Sequence, residues 1–332
     1  MSTLDWWRTG TIYQVYIRSF ADSNGDGTGD INGLRSKLPY LADLGIDGIW
    51  INPWYPSPLL DGGYDVADYR NIHPSYGTLK DADAMIEEAH GLGIRILVDL
   101  VPNHCSWDHI WFKAALQAAP GSTERARFHF TQGSVADDGA AGPPNNWKSV
   151  FGGSAWTQVD DGQWYLHLFD PSQPDLDWTH PEVREEFRSI LRFWLDRGAD
   201  GFRVDVAHGL AKDMDFPDLA EHVQILSSAK QPNHAHWDRD ELHEIVREWR
   251  AVLDEYDDRM MVAEAWVSEE SLPKYLRPDE YHQSFSFDLL MAAWDADAYR
   301  STIASVYEPA KALGAASTWV LSNHDVMRHT TR

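Results

Sequence analysis

Short apolar runs alternate along the chain with longer stretches in which apolar residues recur every three or four positions. Residues 11–17 form an apolar, aromatic run that predicts a strand. Leu34, Leu38, Leu41 and Leu44 then share one helical face, Gly45 stops the helix, and residues 48–53 make a second apolar run. The rhythm repeats: a helix over 83–90 closed near Gly93, a strand over 94–101, a helix over 181–195 opened by Pro181, and a strand from Gly201. A helix over 238–256, a strand over 260–265, a short segment at 284–288, a helix over 292–313 and a strand over 317–321 complete the pattern.

Strands that alternate with helices pair in parallel, and a chain of such units with polar residues at the strand ends predicts an α/β fold, the (β/α)₈ TIM barrel. Seven of the eight units are present before Arg332. The expected organisation is a first barrel part over 1–104, an inserted subdomain over 105–177 after strand 3, and a second barrel part over 178–332. A barrel lacking one unit leaves strand edges bare, so a separate C-terminal polypeptide is expected to complete it. The insertion is rich in Gly, Pro and Trp, with a strand expected over 163–169. A second excursion over 209–237 is expected to act as a lid.

Composition narrows the partners. The 332 residues carry 28 basic and 52 acidic side chains, a net charge of −24, which disfavours nucleic acid and anionic lipid and suits a neutral or cationic small substrate. Sixteen tryptophans suit flat, hydroxyl-rich ligands such as sugars. The single cysteine, Cys105, leaves no intramolecular disulfide framework. The start lacks a secretory signal pattern and no apolar run is long enough to span a membrane, so a cytoplasmic location is expected.

Candidate chemistry sits at strand ends. In Gly201-Phe202-Arg203-Val204-Asp205, period two puts Arg203 and Asp205 on one face, where the cation favours the ionised carboxylate that a nucleophile needs. Asp99-x-x-x-Asn103-His104, Glu264-Ala265-Trp266 and Asn323-His324-Asp325 end three other strands. In a barrel these ends converge, so Asp205 and Glu264 offer a nucleophile and an acid. Each cluster alone reads more readily as a buried, hydrogen-bonded strand end; the four together point to chemistry. Asp22, Asn24 and Asp26 stand at positions one, three and five of an oxygen-rich loop; Gly33 at position twelve excludes an EF-hand. Asp30, with a carbonyl such as that of Thr28, would close a structural Ca²⁺ or Mg²⁺ site, the alternative being a plain Asp/Asn/Gly turn.

Together, Asp99 to His104, Gly201 to Asp205, Val262-Ala263-Glu264-Ala265 and Ser322-Asn323-His324-Asp325 resemble, in order and spacing, the four motif regions of glycoside hydrolase family thirteen, the α-amylase superfamily. Gln173-Pro174-Asp175-Leu176 resembles the region that marks its α-glucosidase and oligo-1,6-glucosidase branch. The resemblance implies Asp205 as nucleophile, Glu264 as acid and then base, and Asp325 as the carboxylate that grips sugar hydroxyls. It implies His104 and His324 as donors to the same sugar, Asp61 as the grip on the terminal glucose and Tyr64 as its floor. No organic cofactor is implied, and the loop metal is.

The expected activity is thus that of a retaining exo-α-glucosidase on short α-glucosides of the maltose, isomaltose or sucrose type. His208-Gly209 stands where endo-acting relatives carry Lys-His, which disfavours starch, and Val206 leaves the linkage open. An α-glucosyl transferase or sucrose isomerase is the alternative within the family, and a non-catalytic relative the alternative outside enzymes. Family members continue into a C-terminal β domain that this sequence does not include.

Overall fold

The computed structural model describes residues 5–135, 139–220, 234–312 and 314–331. Residues 221–233 of the expected lid lie outside that set. Seven parallel strands form one sheet: β1 (Ile12–Val15), β2 (Gly48–Ile51), β3 (Arg95–Leu100), β4 (Gly201–Val204), β5 (Met260–Ala263), β6 (Gln283–Ser286) and β7 (Thr318–Trp319), hydrogen-bonded in that order. Among the described residues β1 and β7 are each paired on one side only. Five long helices follow the strands: α1 (Ile31–Leu44), α2 (Leu79–Gly91), α3 (Pro181–Asp196), α4 (Leu242–Leu253) and α5 (Ala296–Ala312).

The ends of these helices follow local chemistry. Asp30 caps α1 by accepting the Gly33 N–H at 2.7 Å, so the helix starts three residues before its first spaced leucine. Thr78 and Asp81 form a reciprocal capping box that starts α2 at Leu79 rather than at Asp83. The first strand is shorter than its apolar run because the chain turns into a helical turn at Ile17–Phe20. The segment at 284–288 divides in the same way, into β6 and a helical turn at Phe287–Met291.

Alternation along the strands builds two layers. Ile49, Ile51, Ile96, Val98, Phe202, Val204, Met261 and Ala263 point outward into the main core beneath the helices. Trp50, Leu97, Met260 and Val262 pack as a separate inner cluster together with Trp6, Trp7, Ile12 and Phe285. The inner layer is tight at Gly201, where a Cβ would lie 2.0 Å from the Met260 carbonyl oxygen. At the opposite end of β4 from Asp205, the buried Asp200 carboxylate accepts from His90 Nε2 at 2.7 Å, the Ile96 N–H at 2.8 Å, and Arg95 and Arg259 at 3.2 Å each. This clasp ties β3, β4 and β5 together at their N-terminal ends.

Between β3 and α3 the chain makes a small antiparallel sheet of Phe130–Gln132, Gln163–Leu166 and Trp156–Gln158, and a two-stranded ribbon of Ser134–Val135 with Ala141–Gly142. Bridges His104 to Asp175 and Phe128 to Leu176 stitch it to the barrel. The described ends of the second excursion pack on this subdomain. Trp147 Nε1 donates to the Pro217 carbonyl at 2.8 Å, and Trp147 and Trp156 both pack edge-on to Phe216. No helix among the described residues is long and apolar enough to cross a membrane.

Candidate active site

Three consecutive strands bring their charged residues together at Arg203. Register pairs Arg203 on β4 with Asp99 on β3 and Val262 on β5, and Asp205 and Glu264 each follow their strand's last residue. Arg203 Nη1 donates to Asp99 Oδ1 at 3.0 Å and to Asp205 Oδ1, while Nη2 meets Glu264 Oε2 at 2.8 Å. One buried guanidinium thus neutralises parts of three buried carboxylates. Its flat face lies 4.9 Å from the Trp50 ring and 5.6 Å from that of Tyr64.

Three anions around one cation cannot all ionise at no cost. Burial pushes Asp205 well above the usual carboxylate range, and Arg203 only partly offsets this because Glu264 and Asp99 add negative charge. Asp99, fully buried, is pushed up to about 6. Glu264 lies below its ordinary value: burial raises it, but Arg203, the Val206 N–H at 3.0 Å and the Trp266 indole at 3.1 Å together lower it further. Arg203 does favour the ionised form of Asp205, as its neighbouring position suggests, but burial and the other two carboxylates oppose it, because that one charge is divided among three partners.

Val206 carries the backbone turn out of the strand with φ of 44°, a left-handed conformation that is costly for a β-branched residue. That turn aims its N–H at Glu264. Trp266 stacks on Phe287 at 3.7 Å between ring centroids, which fixes the indole that donates to Glu264.

The remaining sequence-derived residues fall into two groups around this cluster. Asp61 and His104 are joined through Gln173, whose Nε2 donates to Asp61 Oδ2 at 2.8 Å and lies 3.2 Å from His104 Nε2. Burial raises Asp61 and lowers His104. Tyr64 turns its hydroxyl away from the cleft, donating to Asp99 Oδ2 at 3.0 Å, and its ring stacks on His324 at 5.2 Å and 4°. His324 Nε2 lies 3.3 Å from Asp325 Oδ1. Asp325, with its side chain 33% exposed, is pushed up to about 7 by desolvation and by Glu264.

Sequence reading missed the supporting hydrogen bonds. Gln14 Nε2 reaches both Asn52 Oδ1 at 2.8 Å and His324 Nδ1 at 2.9 Å, and Asn52 Nδ2 donates to the Tyr64 hydroxyl at 2.8 Å. The inward phase of β1 was the available signal for Gln14.

The loop from Asp22 to Asp30 is folded on itself. Asp22 Oδ2 accepts the Gly27 N–H at 2.8 Å, Asn24 Oδ1 the Asp26 N–H at 2.9 Å, and Asp26 Oδ1 the Thr28 N–H at 2.8 Å. Asp30 divides its oxygens between Ser23 and the cap of α1. Among the described residues no three His, Cys, Asp or Glu side chains gather as a metal site. The loop's donors are nonetheless all hard oxygens, the chemistry of a Ca²⁺ or Mg²⁺ ligand set.

Buried histidines set the acid stability. His109, His208, His282 and His324 are each pushed down to about 4, in every case chiefly by burial. Each stays neutral in the fold while the unfolded chain binds protons below its ordinary value of 6.5. Their contribution is present above that value and is lost as pH falls towards about 4. Asp99 and Asp325, raised to about 6 and about 7, act oppositely and lose stability as pH rises through those values. His73, His104, His129 and His167 are lowered as well and Asp61 and Asp205 raised. With eight imidazoles against four carboxyls, Tm measured by scanning calorimetry is expected to fall between pH 6.5 and 4.5, and a rise would show that the carboxyls dominate.

Seven parallel strands whose C-terminal ends hold two carboxylates on one guanidinium are the arrangement of a barrel glycoside hydrolase. The chain belongs to the α-amylase family: the family described as alpha amylase, catalytic domain, matches residues 14–332. It is 40% identical to a probable alpha-glucosidase of Rhizobium meliloti over 99% of this chain and 61% of that protein. It is 43% identical to an oligo-1,6-glucosidase of Heyndrickxia coagulans over 86% of this chain and 50% of that one. The fold superposes on trehalulose synthase MutB from Pseudomonas mesoacidophila MX-45 with a TM-score of 0.85, at 37% identity, covering 96% of this chain and 58% of the other. Against trehalose-6-phosphate hydrolase of Bacillus licheniformis the TM-score is 0.79, at 37% identity, covering 87% and 51%. The chain thus spans between half and two thirds of the length of these relatives.

Proposed function

We propose that this chain carries the catalytic centre of a retaining exo-α-glucosidase acting on short α-glucosides of the maltose, isomaltose or sucrose type. The observation that carries this reading is the grip of Arg203 on Asp205 and Glu264 from its two nitrogen ends. Two carboxylates gathered on one guanidinium support the short separation of a retaining pair over the wider one that makes room for an inverting enzyme's water. Asp205 attacks the anomeric carbon of the terminal glucose, and Glu264 passes its proton to the departing glycosidic oxygen. The C–O bond breaks and a glycosyl ester forms on Asp205. Glu264, now ionised, takes a proton from water, whose oxygen displaces Asp205 and restores the starting configuration.

This step needs Glu264 protonated and Asp205 ionised, so the bound sugar has to favour the proton on Glu264 against the burial that raises Asp205 and the hydrogen bonds that lower Glu264. Asp325 and His324 hold hydroxyls beside the reacting carbon, Tyr64 lends its ring as a floor, and Asp61, Gln173 and His104 close the far end. A closed end supports exo action, because a longer chain cannot thread past it. Names such as alpha-glucosidase and oligo-1,6-glucosidase among the relatives agree with the substrate class. An acceptor alcohol in place of water gives transfer instead, the activity that the name alpha-glucosyl transfer enzyme gives to another structural neighbour.

The full-length protein supplied with an aryl α-glucoside, whose only released glucose is the transferred one, is expected to release α-glucose before mutarotation, as read by proton NMR. β-Glucose appearing first would overturn the retaining reading.

The loop donors Asp22, Asn24, Asp26, the Thr28 carbonyl and Asp30 are assigned in the same proposal to a structural Ca²⁺ or Mg²⁺. Saturating Ca²⁺ should then raise Tm over EDTA-treated protein, by the equivalent of about 2.7 kcal/mol at 100 times Kd. Among the described residues β1 and β7 are each paired on one side only, and the seam between them is assigned to a further strand and helix of the barrel. Exposed Trp294, Trp319 and Met327 support a cover there.

A further inference from the structure

Lys212 has no part in the chemistry proposed above, yet its ammonium is buried among hydrogen-bond acceptors behind the far wall of the pocket. Its Nζ lies 2.9 Å from Asp175 Oδ2, donates to Asn103 Oδ1 at 2.7 Å, and also donates to the Gly209 carbonyl. Lys212 and Asp175 both have fully buried side chains. The three partners come from three places: the turn after β3, the subdomain return at Asp175, and the segment after Asp205.

An ammonium can only donate, so the Asn103 amide must turn its oxygen towards Lys212. Its nitrogen then faces away, where it lies 3.2 Å from Asp175 Oδ2 and 3.2 Å from His104 Nδ1. The opposite amide orientation would set two donors together at Lys212 and two acceptors together at Asp175. An amide N–H directed at Nδ1 makes that nitrogen the acceptor. Burial keeps the imidazole neutral, so its one proton must sit on Nε2. That proton has the Tyr64 carbonyl as its acceptor at 3.2 Å, because Gln173 Nε2, also 3.2 Å away at the wall that ends in Asp61, is itself a donor to Asp61.

We propose that Lys212 is a positioning residue which, through Asn103, holds His104 as the Nε2–H tautomer and so presents a hydrogen-bond donor at the closed end of the sugar pocket. The same ammonium anchors Asp175, two residues from Gln173, so both groups that flank Asp61 depend on one buried charge. The tautomer argument stands on hydrogen-bond geometry and burial, whereas its consequence for sugar binding rests on the glucosidase reading. A donor that grips the terminal sugar equally in the ground and transition states acts on KM and leaves kcat nearly unchanged.

The test uses the full-length protein with ¹⁵N-labelled histidine, whose two-bond proton couplings distinguish the tautomers without any turnover. Lys212→Met alone strands the Asp175 charge and can unfold the chain, so the working variant is Lys212→Met with Asp175→Asn, which removes both charges together. Asn103→Asp is the second variant; it keeps Lys212 and offers His104 only acceptors. The wild type is expected to show Nε2–H at His104. Either variant is expected to populate Nδ1–H and to raise KM for maltose about tenfold with kcat within about twofold, the effect of one lost hydrogen bond. A folded variant that retains the Nε2–H signature overturns the proposal, as does a switched tautomer with unchanged KM. A tautomer that switches in the variants while the wild type releases no glucose refutes the glucosidase reading and leaves the positioning role in place.

Discussion

Asp205→Asn is expected to lower kcat/KM on maltose by about 10⁴-fold or more in the full-length protein while leaving the fold intact. The amide has the shape of the carboxylate and keeps an oxygen for Arg203, so the contact with its Nη1 survives. What disappears is the nucleophile, without which no glycosyl ester forms, and losses of a nucleophile are typically of this size. The raised proton affinity of Asp205 adds a second expectation. A carboxyl whose folded value lies above its unfolded one costs stability when it is ionised at neutral pH. Replacing it with a neutral amide should therefore hold or raise Tm at pH 7. Steady-state kinetics with calorimetry on the same sample checks both, and a variant that keeps even a tenth of its activity would remove Asp205 from the chemistry.

Glu264→Gln is expected to separate substrates by their leaving groups. The amide oxygen can take the place of Oε2 and keep the Val206 N–H and Arg203, while its nitrogen replaces Oε1 and gives up only the Trp266 indole, so most of the local geometry should persist. It carries no transferable proton, and general acid catalysis is worth about 10²–10⁴-fold. Maltose, whose leaving group is a sugar hydroxyl, should lose that full factor. A dinitrophenyl α-glucoside, whose leaving group departs as an anion unaided, should still form the glycosyl ester quickly. The second step then stalls for want of a base. A burst of dinitrophenol followed by slow turnover is the expected trace, whereas equal losses on both substrates would exclude Glu264 as the acid.

Much of the plan could be read along the chain because it rests on local periods. Outward-facing Ile49, Ile51, Val98 and Phe202 set the strand phase, and the same phase brings Arg203 and Asp205 to the cavity side. Boundaries were less legible. The Thr78 and Asp81 box moved α2 four residues earlier than its apolar spacing indicated, and β1 stopped at Val15 where the backbone turned helical. The site's carboxylates were legible as strand ends, but not their electrostatics. Arg203 beside Asp205 reads as a private ion pair until Asp99 and Glu264 arrive from neighbouring strands. Lys212 was out of reach for a related reason, since it lies in an excursion without a period. Its partners Asn103 and Asp175 are 109 and 37 residues distant in sequence, and only the folded chain brings them together.

The left-handed turn at Val206 bears on how this protein could be engineered. Programmes that stabilise proteins by relieving unfavourable backbone angles would select this position early, since glycine adopts φ of 44° without the side-chain clash. The same turn supplies one of the donors that hold Glu264 in place, and glycine would let it wander. Val206 is thus a position where thermal hardening and turnover pull against each other, and a stabilised version of this chain should be sought by substitution elsewhere.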